Sequence, residues 1–246
     1  MTSRKMQLVT ALVLAAGCLA TARAEEAKKP VAAADADERV AAQLDRVLPE
    51  IRFNGQRFDD VIDYLRDVTG ANIFVHWRAL ESAGIARNAP VAMQLKDVKF
   101  KTALSKLMEA VNTAKRAAKF KVDQGVIVIS IAPEPGTKEV ELVNGAKLPE
   151  KVDRVLPDVH FNGQKLADVF DFLRDVTKAN IFVNWNALKE AGIGPDAGVF
   201  VMLRDIPMSV VLKHSLQSAS DGKTFLKFTF EDNVITVTTG RMEKEK

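Results

Sequence analysis

Residues 44–85 read LDRVLPEIRFNGQRFDDVIDYLRDVTGANIFVHWRALESAGI, and residues 152–193 read VDRVLPDVHFNGQKLADVFDFLRDVTKANIFVNWNALKEAGI. The offset is 108 residues, and 28 of these 42 positions are identical. It holds without a gap to the end of each copy, where FKVDQGVIVIS at 120–130 lies over FTFEDNVITVT at 228–238. A repeat this long points to a duplicated domain, because solenoid units have periods of about 20–50 residues. Two domains are therefore expected, residues 44–131 and residues 152–239, each able to bury a modest core. Residues 132–151, with Pro133, Pro135, Gly136 and Gly145, read as a linker that holds one short strand. Residues 25–43 read as a leader that turns helical near Asp37, and residues 240–246 as a charged tail.

Within each copy the periodicity sets the element types. Residues 50–53 and 158–161 alternate, predicting short strands that end at Asn54-Gly55 and Asn162-Gly163. Phe58, Val61, Ile62, Leu65 and Val68 fall on one helical stripe, matched by Leu166, Val169, Phe170, Leu173 and Val176. Residues 71–75 and 179–183 are apolar and β-branched, predicting central strands. A short helical turn follows, stopped by Gly84 and Gly192. Residues 91–95 and 199–203 read as strands, and a second helix follows from about residue 99 and from Pro207. A closing hairpin turns at Gln124-Gly125 in one copy and at Asp232-Asn233 in the other. The expectation is an α+β fold of two tandem β-α-β-β-α-β-β domains, each a small mixed sheet packed with two helices.

These residues resemble the secretin and TonB short N-terminal domain. The resemblance is carried by Thr69-Gly70-Ala71-Asn72-Ile73, Leu95-Lys96-Asp97-Val98, Ala103-Leu104 and the closing run Gly125-Val126-Ile127-Val128-Ile129. The second copy departs from the pattern, with Lys178 for the glycine and Val211 for the alanine. The resemblance implies a periplasmic module that contacts partner proteins, in a secretion or outer-membrane context, and performs no catalysis. No pore-forming domain or barrel follows the second copy here, so the chain is not expected to be the channel or receptor itself. Residues 77–89 and 185–197 are an insertion relative to the family pattern.

The N-terminus is expected to direct export. Arg4 and Lys5 precede an apolar run, and Ala22-Arg23-Ala24 fits a small-x-small cleavage site, so residues 1–24 read as a signal peptide. The run is short for a span, which needs about 20 apolar residues, although an uncleaved anchor is an alternative. Ala15-Ala16-Gly17-Cys18 resembles a lipobox, which makes a lipid anchor at Cys18 another. Cys18 is the only cysteine, so a cleaved chain forms no disulfide. Cleavage removes three basic residues and no acid, leaving 32 of each sign. The expected location is the periplasm, and zero net charge argues against a nucleic-acid partner.

Candidate site residues are few. Asp60, Asp63 and Asp67 recur as Asp168, Asp171 and Asp175 on one helix face. Clustered carboxylates suit acid–base chemistry or a cation, but no histidine, nucleophile or glycine-rich ligand loop accompanies them. A solvated face is the reading, with a docking face for a basic partner as the alternative. Trp77 and Trp185 directly follow the predicted central strand. Each ring either packs over the sheet end or anchors a partner. His76, His160 and His214 occupy non-equivalent positions and read as polar surface. G-x-S-x-G, H-E-x-x-H and phosphate-loop patterns do not occur, nor does a G-x-x-G clamp between helices.

No catalytic, cofactor or metal residue is assigned. The expected function is non-enzymatic docking of a protein partner or of a second copy. The alternative is a ligand- or cell-wall-binding protein that uses residues 77–89 and 185–197. If the copies differ in partner, residues 99–131 against 207–239 should carry the difference.

Overall fold

The computed structural model describes residues 33–112, 116–132, 143–221 and 226–240. The expected signal peptide, Cys18, residues 133–142 of the linker and the tail beyond Gly240 lie outside the described residues. After helix α1 (Ala33–Leu44), the first repeat runs β1 (Val47–Arg57), α2 (Phe58–Thr69), β2 (Ile73–Val75), α3 (Trp77–Ser82), β3 (Pro90–Lys99), α4 (Phe100–Val111), β4 (Ala118–Asp123) and β5 (Val126–Ile131). The second opens with β6 (Val143–Gly145) and runs β7 (Val155–Lys165), α5 (Leu166–Thr177), β8 (Asn180–Val183), α6 (Trp185–Glu190), β9 (Gly198–Pro207), α7 (Met208–Ala219), β10 (Leu226–Glu231) and β11 (Val234–Thr239). The fold is α+β, as the periodicity predicts.

The strands of each repeat divide between two sheets instead of sharing one. β1 and β3 form an antiparallel ribbon, and β7 and β9 form its copy, with Val47 opposite Lys99 and Val155 opposite Pro207. β5 lies between parallel β2 and antiparallel β4. The second repeat keeps this arrangement in β8, β11 and β10, and β6 adds a parallel strand at the β10 edge. The strands predicted to be central are therefore edge strands. Their apolar character comes from packing on the helices rather than from neighbours on both sides.

Asn54-Gly55 does not end β1. The strand passes through a bulge there, with Gly55 at φ +92°, and Gly163 repeats it at φ +87°. A left-handed residue in a paired strand bends and twists it without stopping it. The ribbon can thus run straight into α2. Both hairpins turn as predicted, with positive φ at Gln124-Gly125 and Asp232-Asn233, the geometry that matches strand twist.

The repeated LRDVT motif joins α2 to β2. Arg66 donates through Nε and Nη2 to the Ile73 carbonyl at 3.0 and 2.6 Å, and Arg174 does the same to Ile181 at 3.1 and 2.7 Å. Thr69 Oγ1 donates to Leu65 O at 2.6 Å and accepts from the Ala71 amide at 3.2 Å; Thr177 repeats both bonds. Thr69 and Thr177 thereby occupy the buried end of the helix stripe, and Val68 and Val176 are turned to solvent. That corrects the expectation that the two valines are buried.

The helix C-caps both adopt the left-handed conformation, Gly70 at φ +66° and Lys178 at φ +57°. A side chain costs about 1 kcal/mol there and glycine does not. Lys178→Gly is expected to raise stability by roughly 0.5–1 kcal/mol. A shifted urea midpoint at unchanged slope is the readout, and a lower midpoint would count against the assigned cap strain.

The insertion closes the other end of α2. Arg57 supplies no side-chain cap, and the Ala89 and Arg87 carbonyls accept instead from the Phe58 and Asp59 amides at 2.9 and 3.0 Å. Ala197 and Pro195 do the same for Leu166 and Ala167, both at 2.9 Å. Each insertion thus satisfies first-turn donors that helix geometry leaves unpaired. Leu80 and Ile85 anchor it in the core, as Leu188 and Ile193 do in the second repeat.

Two apolar clusters form the interior, and they do not follow the repeat boundary. Phe74, Val126 and Val128, on the outer face of the β2–β5–β4 sheet, belong to the cluster of the second repeat. The His214 ring of α7 lies 4.6 Å from Phe74, and Asn72 beside it bonds Arg204 of β9. Val210, Lys213, His214 and Ser218 of α7 are buried, where α4 carries Thr102, Ser105, Lys106 and Ala110 in equivalent positions. Val40 and Leu44 bring α1 into the first cluster, so the compact unit begins before residue 44.

Candidate functional site

Six large apolar side chains are exposed among the described residues, and four of them form two copies of one pattern. Tyr64 and Val68 on α2 are each 40% exposed; Phe172 and Val176 on α5 are 37% and 43% exposed. The four-residue spacing stacks each pair along one helix face. The aromatic ring stands edge-on over the strand beneath it: Tyr64 lies 5.5 Å from Phe53 and Phe172 lies 5.4 Å from Phe161, both at 86°. A ring held in this way keeps one face open and has little freedom to lose on binding.

The repeated aspartates surround these pairs. Asp60, Asp63 and Asp67 are exposed beside Tyr64 and Val68; Asp168, Asp171 and Asp175 are exposed beside Phe172 and Val176. Asp63 accepts from Arg66 and Asp171 from Arg174, the latter at 2.6 Å. Asp63 and Asp171 thus also hold the arginines that brace the edge strands. The result is an apolar strip with an acidic border, present once on each repeat. The sequence reading assigned the aspartates to this face and left Tyr64 and Phe172 unassigned. Both lie off the buried stripe, and an aromatic kept at the same off-stripe position in both copies was the available signal.

The two tryptophans differ in exposure. Trp77 is buried, with its ring edge-on to Phe58 at 5.3 Å. The Arg87 guanidinium carbon lies 4.9 Å from the Trp77 ring and 3.9 Å from Phe200 of β9, tying the two repeats together by cation–π contact. Trp185 packs on Phe170 at 5.8 Å and remains half-buried, with Pro195 standing where the first repeat has Arg87.

Two of the three histidines are buried where the repeats meet, contrary to the expected polar surface; His160 is exposed as expected. The His76 Nε2–H donates to Ser220 O at 3.2 Å. The His214 Nδ1–H donates to Gln217 Oε1 at 2.8 Å, and no partner for its Nε2 is found among the described residues. Burial lowers the His76 pKa and pushes that of His214 down to about 4. Both rings are therefore neutral at pH 7. The Lys213 ammonium, itself buried, pairs across the repeats with Asp123 at 2.9 Å.

A cleft of about 980 Å³ opens between α1, the β4–β5 turn and the start of α7. Asp153 in its lining serves structure, as does Asp37 of α1. Asp153 accepts from Ser209 N and Oγ at 2.7 and 2.8 Å, and its pKa is raised by burial; Asp37 accepts from the Gly125 amide at 2.7 Å. Among the described residues, no three His, Cys, Asp or Glu side chains gather in a metal-binding arrangement. No helix there is long and apolar enough to cross a membrane. No protein-family model, curated protein or solved structure matches the chain, so the resemblance to the secretin and TonB short N-terminal domain rests on its motifs alone.

Proposed function

We propose that the protein is an exported, non-enzymatic docking module that binds a protein partner through the outer faces of α2 and α5. The observation that carries this reading is the repetition of Tyr64 and Val68 as Phe172 and Val176, exposed and bordered by aspartates in both copies. A folded chain gains no stability from holding large apolar groups in water, and such groups rimmed by charge mark contact surfaces. The partner that fits is a segment with an apolar anchor among lysines or arginines. Its approach is steered by the acidic rim and its residence set by the aromatic contact. Two equivalent faces on one chain also let a partner with two such segments bind by avidity. Export to the periplasm follows from the signal-peptide reading of residues 1–24 and from the motif resemblance.

Affinity capture from a periplasmic extract tests the assignment, using the mature chain, the variants Tyr64→Ser/Val68→Ser and Phe172→Ser/Val176→Ser, and all four changes together. Each pair is expected to weaken partner retention about tenfold, as expected for loss of an interface anchor, and the combination to abolish it. A partner captured equally by the wild type and the four-fold variant would place docking elsewhere.

A further inference from the structure

Phe74 and Phe182 are the same residue at the same place in the two repeats, and they meet opposite fates. Phe74 is 1% exposed and Phe182 is 58% exposed. What covers Phe74 is the second repeat. The His214 ring of α7 lies 4.6 Å from it, and Val126 and Val128 share the same cover. Asn72 holds the neighbouring β9 in strand-like fashion, donating to Arg204 O at 3.0 Å and accepting from Arg204 N at 2.8 Å. Lys213 closes the contact on Asp123.

The receiving groups recur in the second repeat as Asn180, Phe182, Val234 and Glu231. Asn180, Phe182 and Glu231 are exposed and Val234 is half-buried. The face of the first repeat that corresponds to α7 and β9 is also uncovered: Lys96, Thr102 and Lys106 are exposed there. Lys106 stands at the position of His214 and one residue from that of Lys213, where it can meet the exposed acidic turn of Glu231 and Asp232. The two uncovered faces occupy the positions of a contact that the chain already makes once internally, without its Arg87–Phe200 link, whose counterparts are Pro195 and Ala92.

We infer that the Phe182 face binds the α4 face of a second copy, so that chains associate head to tail through the geometry that joins the two repeats. Such a contact is heterologous and does not close on itself at the dimer. It is weaker than the internal one, because Thr236 replaces Val128 and Lys106 replaces His214 on the buried area. It does not depend on the α2 and α5 faces, which all variants below leave intact.

Sedimentation velocity of the mature protein across a concentration series tests the inference. The mean mass is expected to rise beyond that of a dimer, and Phe182→Asp and Lys106→Glu are each expected to weaken association at least tenfold. Mixing the two variants should restore a one-to-one dimer and nothing larger, because each retains the face the other has lost. Phe182→Asp should keep the wild-type unfolding midpoint; if it does not, Glu231→Lys takes its place in the mixture. A monomer at every concentration overturns the inference. So does a dimer that Phe182→Asp abolishes and Lys106→Glu leaves untouched, which would mean two Phe182 faces meeting each other.

Discussion

Phe74→Ala is expected to cost about 3–4 kcal/mol of stability, whereas Phe182→Ala changes it by less than about 0.5 kcal/mol. The residues are identical, occupy the same position of the repeat and follow the same Ala-Asn-Ile sequence. Only their cover differs. Phe74 lies fully enclosed between the β2–β5–β4 sheet and α7, so its loss leaves a cavity against His214, Val126 and Val128. Phe182 has water on its outer side, and alanine there removes little that folding had buried. Urea unfolding of the two variants side by side gives the answer. Equal losses at the two positions would contradict the packing of α7 on the first repeat.

Acid is expected to loosen the same interface. His214 is enclosed and neutral, faced by His76, Lys213 and Asp123, with its pKa pushed down to about 4 by burial. In the unfolded chain it titrates near 6.5, so between these values the unfolded state binds the extra proton. The native advantage is therefore complete above about pH 6.5 and falls as the pH drops toward 4, by roughly 3 kcal/mol from this residue. His76 acts in the same direction, since burial lowers its pKa too. Carboxylates titrate mostly below the interval from pH 6.5 to 5, and Asp153, whose pKa burial raises, shifts stability in the opposite sense, so a decline there is carried by the histidines. Stability measured there should decline in the wild type and decline much less in His214→Phe, which fills the site without a titrating group. An identical slope in the variant would assign the acid sensitivity to other groups.

Much of one repeat was legible because its signals are local. The hairpin turns and the helical spacing of the buried positions along α2 depend on neighbours within a few residues, whereas Asn54-Gly55, a strand-ending turn by its residues, becomes a bulge once β3 pairs across it. Val68 shows where local reading stops. By spacing alone it belongs to the buried stripe, but Thr69 bonds back to Leu65 and takes the buried end, leaving Val68 outside. The two tryptophans were placed at the right end of the strand, but their cover was not legible. That of Trp77 depends on Arg87 reaching Phe200, which lies 113 residues further along the chain.

By itself, the sequence determined that the chain contains one α+β unit twice in the same register, because periodicity and turn chemistry act over a few residues and both copies carry the same pattern. It also placed the six aspartates on the outer faces of the two first helices. Only the tertiary structure decided that the copies differ in what they expose. Packing α7 on the first sheet buries Phe74, His76 and His214 and leaves Phe182 open, and that choice was made by side chains brought together across more than a hundred residues. A repeat read along the chain is symmetric, whereas two repeats packed face to back leave one face covered and its counterpart free.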